Sequence, residues 1–250
     1  MRLTLLGTGA AAGFPVYGCE CGLCRRAAIL PELRRSPCSA LIELGNSRYL
    51  IDAGQTNITE CFPVGTLDGI LLTHFHPDHV QGLFHLRWGK NCVIPVYTPP
   101  DTQGCADLYK HPGILQFQSC NKFVCFSLGE LLVTPIPLIH SKPTFGYCFD
   151  INGQRLAYLT DTKGLPPTSL EFLKSSNLDL LLLDCTYSPD ENLPGHNSIE
   201  DVLWIDHQLQ PKTMVLTHIG HGMEEWLAEH QRSLPDHFLV ARDGMSFLVQ

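Results

Sequence analysis

Charged side chains are scarce in this chain of 250 residues: they make up 17% of it, and their formal net charge is −8. This acidic balance disfavours a dedicated nucleic-acid binder, which would show a basic footprint. The hydrophobic share of 44% excludes a disordered chain, because disorder requires low hydrophobicity and high charge. We expect residues 1–250 to form a single domain with its own core.

Long apolar runs are also missing. No segment approaches the roughly 20 apolar residues of a membrane-spanning helix. Residues 3–6 are apolar, but this stretch is too short for a signal peptide and is interrupted by Gly7 and Gly9. We therefore expect no membrane partner and a cytoplasmic location.

Cysteine is abundant, but its distribution argues against disulfides. The count of 11 is odd, and most of these residues are scattered singly, as is typical of small buried side chains in a reducing compartment. Only Cys19, Cys21 and Cys24 cluster, with a spacing that suggests a metal site. From the residues alone, Cys38 and His221 compete as a fourth ligand.

The pattern of elements changes along the chain. Gly45-Asn46 and Asn152-Gly153 predict hairpins, whereas the apolar run 178–183 predicts a strand covered on both faces. Helices are predicted at residues 79–88, 167–174, 198–210 and 224–232. Hairpins followed by alternating strands and helices indicate a mixed α/β protein.

The most informative stretch reads His-x-His-x-Asp-His and follows a predicted strand at residues 67–72. Its members are His74, His76, Asp78 and His79. Residues two apart in an extended loop project to the same side, so the first two histidines can converge on one ion. The last two members lie past the turn and can serve a second ion.

Further ligands are expected where other apolar strands end, because functional residues gather at the carboxyl ends of strands in α/β folds. His140, Asp161 and His218 each occupy such a position. Asp161, as a carboxylate, could bridge two ions. Imidazole and carboxylate suit manganese, zinc, nickel and iron, so the residues do not choose among these metals.

These residues resemble the metallo-β-lactamase superfamily of metal-dependent hydrolases over nearly the whole chain. The resemblance implies a four-layer αββα sandwich with a binuclear site at one edge. It assigns His74, His76 and His140 to one ion, and Asp78, His79 and His218 to the other, with Asp161 between them. A bridging aspartate rather than a cysteine is typical of the phosphodiesterase branch.

Segments 18–24, 82–88 and 140–146 are similar to the phosphoribosyl cyclic phosphodiesterases of the bacterial carbon–phosphorus lyase pathway. This likeness implies opening of 5-phosphoribosyl 1,2-cyclic phosphate to ribose 1,5-bisphosphate in phosphonate catabolism, and it suggests a homodimer. It also implies that Cys19, Cys21, Cys24 and His221 bind a separate zinc, which is structural because four protein ligands leave no open position.

A mechanism follows as a hypothesis. Two ions roughly 3.5–4 Å apart lower the pKa of a shared water and clamp the attacking and leaving oxygens, so we expect the bridging hydroxide to attack phosphorus. Asp78 and His196 are the predicted catalytic residues, the latter as the acid that protonates the leaving alkoxide. Arg87, Lys142 and Lys163 are candidates for binding the substrate's other phosphate.

Other functions share parts of this pattern. A tRNA 3′-processing endonuclease has the same metal signature but needs a surface that grips a polyanion, and the net charge weakens that alternative. Another cyclic-nucleotide phosphodiesterase fits the ligands equally well. A non-catalytic protein of the pyrroloquinoline quinone biosynthesis type shares the cysteine cluster, but the full ligand set favours a hydrolase.

Overall fold

Two seven-stranded mixed sheets form the centre of the molecule in a computed structural model that describes residues 1–189, 191 and 193–249. The first sheet contains β1 (Arg2–Gly7), β2 (Ser39–Leu44), β3 (Ser47–Ile51), β4 (Gly69–Leu71), β5 (Ile94–Thr98), β6 (Leu115–Ser119) and β14 (Ser246–Leu248). The second contains β7 (Phe126–Leu128), β8 (Leu131–Pro137), β9 (Phe145–Ile151), β10 (Gln154–Leu159), β11 (Leu180–Asp184), β12 (Thr213–Thr217) and β13 (Phe238–Val240).

The order and direction of the strands bring several strand ends together at one edge of each sheet. The first sheet runs β14-β1-β2-β3-β4-β5-β6 and the second β13-β12-β11-β10-β9-β8-β7. Strands β3 to β6 are mutually parallel, as are β10 to β13. Parallel neighbours end at the same edge of a sheet, so the residues that follow them are brought together.

The α-helices of the described chain are α1 (Gly22–Ile29), α2 (Ile58–Cys61), α3 (Pro77–Val80), α4 (Leu83–Leu86), α5 (Ala106–Lys110), α6 (Pro167–Lys174), α7 (Ile199–Leu209) and α8 (His221–His230). Helices α2 to α8 cover the outer faces of the two sheets, and α1 packs against the N-terminal loop. Within the described part of the chain, none of them combines the length and apolar character needed to cross a bilayer.

Buried side chains form the layers that hold these elements together. Leu5 and Ile42 of the first sheet meet Phe149 and Leu182 of the second in a core between the sheets. Separate clusters join the first sheet to α2–α5 and the second to α6–α8. The expected four-layer αββα sandwich is therefore confirmed.

Both predicted hairpins form. The turn at residues 152–153 places both residues at positive φ, 54° for Asn152 and 80° for Gly153, as a type I′ turn requires. Gln154 then pairs with Ile151 in register.

The prediction of one continuous helix over residues 79–88 is wrong, because the structure contains two short helices, α3 and α4, with a break between them. The backbone at the break bonds elsewhere: Ala53 donates to the carbonyl of His79, and Gly82 donates to the carbonyl of Ala53, each over 2.8 Å. A Cβ atom at Gly82 would collide with the carbonyl oxygens of Gln55 and Ala53. The segment after β3 therefore splits the helix and packs beside His79.

The cysteine-rich loop also contains a helix that the sequence pattern did not predict. Cys21 is the N-cap of α1, and its sulfur accepts a hydrogen bond of 3.3 Å from the backbone of Cys24. The start of this helix is hard to predict from the sequence, because a cysteine occupies the N-cap position where Ser, Thr, Asp or Asn is usual.

Candidate metal centres

The ends of several strands bring all seven predicted histidine and aspartate ligands into one cluster. Loops after β4, β8, β10 and β12 supply them. They form two groups, and within each group the ligand atoms all lie within 4.8 Å of one another. The first group contains His74, His76, His140 and Asp161, and the second contains Asp78, His79 and His218.

The first group converges on a single point. His76 Nδ1 lies 2.8 Å from His74 Nε2 and 3.0 Å from His140 Nε2. Asp161 Oδ2 is 3.7 Å and 3.8 Å from the latter two nitrogens. Three imidazole nitrogens and a carboxylate oxygen at this spacing fit one divalent ion.

The second group leaves buried nitrogens without partners, which is the best test of whether a metal fits. His79 Nε2 and His218 Nε2 are both buried and accept or donate no hydrogen bond within the described chain. Each lies 3.4 Å from a different oxygen of Asp161, and Asp78 Oδ2 lies 3.2 Å from the first. Buried polar atoms are normally paired, so these nitrogens fit a second ion, with Asp161 between the two groups.

Each ligating histidine is held from behind by a partner on its other ring nitrogen. Asp52 Oδ2 lies 2.7 Å from His79 Nδ1, and Thr186 Oγ1 lies 2.8 Å from His218 Nδ1. The remaining partners are Thr73 Oγ1 for His74, Ser141 Oγ for His76 and the Gly195 carbonyl for His140. Such contacts fix the tautomer and the orientation of a metal-binding imidazole.

Asp52 is a residue that the sequence reasoning missed. It is fully buried and also accepts hydrogen bonds from the backbone and hydroxyl of Thr73. It follows β3 directly, so the rule that found the ligands after other strands could have found it too.

Three residues of the centre have strained backbones. Asp52, Asp161 and His218 have φ values of 57°, 62° and 55°, in the left-handed region that side chains rarely adopt. Strain of this kind persists where the surroundings over-determine it, and it clusters at functional sites.

The electrostatics of the centre favour the metal-binding forms of Asp161 and His74. Burial alone would raise the pKa of Asp161, but the imidazoles of His218, His79 and His74 hold that pKa well below its usual value. Burial lowers the pKa of His74 well below the ordinary histidine value. A charged carboxylate and a neutral imidazole are the forms that ligate metal.

His196 lies at the edge of the second group. Its Nδ1 is 2.7 Å from the buried Asp184 Oδ2, and its ring stacks on His218 with centroids 4.7 Å apart. Burial lowers the pKa of His196, but the hydrogen bond and charge of Asp184 outweigh this and raise the pKa overall. Sequence reasoning missed Asp184, which ends β11.

The three candidate cations differ in position. Lys163 Nζ donates to Asp201 over 2.6 Å, and Lys142 is half-buried beside Ser141. Arg87 remains a predicted substrate-binding residue, and its buried guanidinium forms an ion pair of 2.7 Å with Asp107 and lies over the ring of Trp88. This ion pair anchors the start of α5.

The cysteine cluster assembles with His221. The ligand atoms of Cys19, Cys21, Cys24 and His221 all lie within 4.8 Å of one another. His221 Nε2 is 3.3 Å from Cys19 Sγ and 3.4 Å from Cys21 Sγ. The backbone N–H of Cys24 lowers the pKa of the Cys21 thiol to about 7, which favours the thiolate that binds metal.

Cys38 does not join that cluster. Its sulfur is buried between the hydroxyls of Tyr158, at 3.2 Å, and Thr217, at 3.4 Å. The choice that the residues alone left open is therefore decided in favour of His221.

Comparison with known proteins identifies the family. Residues 47–219, more than half of the chain, match the family described as Beta-lactamase superfamily domain. A solved structure described as a new diphosphatase from the PhnP family is 28% identical, with a TM-score of 0.83, and the match covers 99% of this chain and 97% of that one.

Two curated relatives carry other activities. An octanoyltransferase of Porphyromonas gingivalis is 29% identical over 273 residues, covering 100% of this chain and 52% of that protein. The chain thus spans about half the length of this relative. A ribonuclease Z of Methanococcus maripaludis is 22% identical over 327 residues, covering 100% of this chain and 98% of that protein.

Proposed function

The chain belongs to the beta-lactamase superfamily and is a metal-dependent hydrolase, and we propose that its substrate is a small cyclic phosphodiester. The observation that carries the proposal is the position of Asp161 between the two ligand groups. Its Oδ2 faces His74 Nε2 and His140 Nε2 of the first group, and its two oxygens also face the unpartnered buried nitrogens of His79 and His218 in the second. A carboxylate shared in this way would hold two ions close together, as in two-metal hydrolytic sites.

In this proposal, His74, His76 and His140 hold one ion, Asp78, His79 and His218 hold the other, and Asp161 contacts both. Two divalent ions, manganese or zinc with nickel or iron as alternatives, supply Lewis acidity and activate water at neutral pH when bound. The chain's own contribution is orientation. Asp52 and Thr186 aim the ring nitrogens of His79 and His218 at the reaction centre.

His196 is the proposed acid. Its Nδ1 is paired with Asp184, and a ring nitrogen of His196 lies within 4.8 Å of ligand atoms of Asp161 and His218. The raised pKa favours a protonated ring. As water loses one proton to solvent, its oxygen bonds to phosphorus and the ring P–O bond breaks; the leaving alkoxide takes its proton from this imidazolium.

The specific substrate we propose is 5-phosphoribosyl 1,2-cyclic phosphate, opened to ribose 1,5-bisphosphate in phosphonate catabolism. Support comes from the three sequence segments that resemble the phosphoribosyl cyclic phosphodiesterases and from the likeness to a PhnP-family diphosphatase. Lys142 is the favoured candidate for the 5-phosphate, since Arg87 and Lys163 are both paired with aspartates.

A diphosphate is the second candidate substrate, because the PhnP-family structure at 28% identity is itself described as a diphosphatase. RNA is a further alternative, since ribonuclease Z matches the whole chain. The net charge of −8 favours a small substrate over a polyanion.

Four features complete the proposal. Cys19, Cys21, Cys24 and His221 bind a structural zinc, and residues 1–250 act as one domain. The protein forms a homodimer and works in the cytoplasm. Zinc analysis of the purified protein tests the structural zinc, and sedimentation tests the homodimer.

Rates on matched substrates test the proposed activity. We expect the manganese- or zinc-loaded protein to prefer 5-phosphoribosyl 1,2-cyclic phosphate over 2′,3′-cyclic nucleotides, bis-aryl phosphates, nucleoside diphosphate esters and a pre-tRNA. Faster cleavage of the diphosphate esters would replace the first candidate with the second. Failure on every phosphoester, with both ions bound, would refute the function and favour a non-catalytic metal-binding protein.

A further inference from the structure

A single short segment, residues 218–221, links the two kinds of metal centre. At one end His218 Nε2 lies 3.4 Å from Asp161 Oδ2. At the other end His221 Nε2 lies 3.3 Å from Cys19 Sγ. Three residue steps span at most about 11 Å of backbone, so one short stretch of chain carries a ligand of each centre.

The middle of the segment is bound to the loop that carries the cysteines. Ile219 donates to the carbonyl of Thr8 over 2.9 Å, and Ala10 donates to the carbonyl of Ile219 over 3.1 Å. This loop continues to Cys19 and Cys21, where it meets the segment again at His221. The loop therefore clamps residues 218–221 at two points, and the second point depends on the cysteine–histidine cluster.

His218 needs such a clamp because its backbone is strained. Its φ of 55° lies in the left-handed region, which a histidine adopts only when its surroundings impose it. Thr186 restrains the same residue from the other side: its hydroxyl lies 2.9 Å from the His218 carbonyl, and its own carbonyl accepts from Gly220 over 3.2 Å. Releasing His221 would remove one of these restraints.

The three histidines of the other catalytic ion are held independently of this loop. His74 contacts Thr73, His76 contacts Ser141, and His140 contacts the carbonyl of Gly195. Any effect of the cysteine cluster should therefore fall on the ion held by Asp78, His79 and His218.

Helix α8 has an anchor of its own, so the cluster can be emptied without unfolding the helix. Glu224, in its first turn, accepts from the buried Arg35 Nε and from Arg242 Nη1, each over 2.8 Å. These ion pairs keep the helix start in place when a cysteine ligand is removed.

We propose that the cysteine–histidine cluster is a positioning element for His218, so that filling it tightens binding of the second catalytic ion and leaves the first unchanged. The inference rests on the metal assignment of the proposed function but not on its substrate. Cys19, Cys21 and His221 act through the 218–221 backbone and touch no reacting atom.

The test measures the two catalytic ions separately in the full chain. Protein labelled with ¹⁵N-histidine is titrated with Zn²⁺ in chelator buffers, and imidazole resonances, assigned with His74→Ala and His218→Ala, report each site. In Cys19→Ser we expect the dissociation constant of the second ion to rise at least tenfold and that of the first to change less than twofold.

Three variants make the result specific. His221→Gln removes a different ligand of the cluster and should raise the dissociation constant of the second ion in the same way. It replaces Cys19→Ser if that variant does not fold. Cys19→His retains a ligand and should restore the wild-type constant. Cys61→Ser, an exposed cysteine on α2, should change neither.

Two results would overturn the inference: an unchanged second-ion constant in both cluster variants, or equal weakening of both ions. Inactivity of the wild-type protein on phosphoesters would refute the proposed function alone, because the two dissociation constants would still decide the coupling.

Discussion

The two metal centres of this molecule use opposite designs. The cysteine–histidine cluster offers four ligands for one ion, and three of these residues, Cys19, Cys21 and His221, are only half-buried. The histidine–aspartate centre offers seven ligands for two ions, and His74, His79, Asp161 and His218 are almost fully buried. Four ligands close a tetrahedral site, whereas seven shared between two ions leave positions for water and substrate.

The difference extends to the residues behind the ligands. Every histidine ligand of the catalytic centre has a hydrogen-bond partner on its second ring nitrogen, whereas the partner of His221 Nδ1 in the described part of the chain is the half-exposed Glu225, at 3.6 Å. Precise orientation of the ligands is thus concentrated where chemistry is proposed. The following changes should separate a centre that reacts from one that holds the chain.

Removing the shared carboxylate should have the largest effect. In Asp161→Ala both ions lose a ligand and the charge between them, so we expect kcat to fall by about 10³-fold or more, since metal ions supply several kcal/mol of transition-state stabilisation. Steady-state kinetics with metal analysis would measure it. Asp150→Ala, which removes a carboxylate paired with Arg155 in a hairpin, is the control, and equal losses in both variants would contradict the assignment.

Removing the proposed acid should have the next largest effect, and one that depends on the leaving group. We expect His196→Ala to lower kcat about 10²- to 10³-fold on alkyl phosphodiesters, and much less on nitrophenyl esters, whose leaving groups need no proton. Metal content should stay at the wild-type value. An undiminished rate on poor leaving groups would remove this role, and His230→Ala, on the exposed side of α8, serves as the control.

The residue behind a ligand should matter less than the ligand. Asp52→Asn keeps the shape of the side chain but removes the charge that faces His79 Nδ1. Loss of such a partner costs about 10- to 100-fold in metal affinity or activity, and isothermal titration with Zn²⁺ would measure it. The exposed Asp68→Asn should bind metal normally; a wild-type affinity in Asp52→Asn would show that the contact is not used.

The cysteine cluster should affect stability more than turnover. At a free zinc concentration about a thousand times its dissociation constant, a site stabilises the folded chain by about 4 kcal/mol. Cys24→Ser should lose this zinc-dependent rise in thermal midpoint, while kcat at saturating catalytic metal falls less than fivefold. Loss of turnover with an unchanged midpoint would reverse the comparison between the two centres.

The ligands were predictable because each belongs to a local pattern, either the His-x-His-x-Asp-His stretch or a polar residue within three positions of the end of an apolar strand. Their partners were harder to find, since Asp184 and Thr186 matter only once β11 lies between β10 and β12. The ion pair of Arg87 was missed for a related reason. Its partner Asp107 lies on α5, a five-residue helix with no clear periodicity in the sequence, so the charge looked free.

The same limit explains the broken helix. Apolar spacing over residues 79–88 fits a helix, and only the approach of residues 53–55 shows why its hydrogen bonds are made elsewhere. Patterns within one segment thus predicted most strands and helices and the residues that would bind metal. Contacts between distant segments determine the hydrogen-bond partners of those residues, and the sequence did not reveal them.

The central claim is that two ions on opposite sides of Asp161 act together. Protein with its cysteine cluster filled and its catalytic centre emptied should be titrated with Mn²⁺ while hydrolysis of a cyclic phosphodiester is followed. We predict little activity through the first equivalent and a steep rise with the second. Full activity at one equivalent would contradict the account.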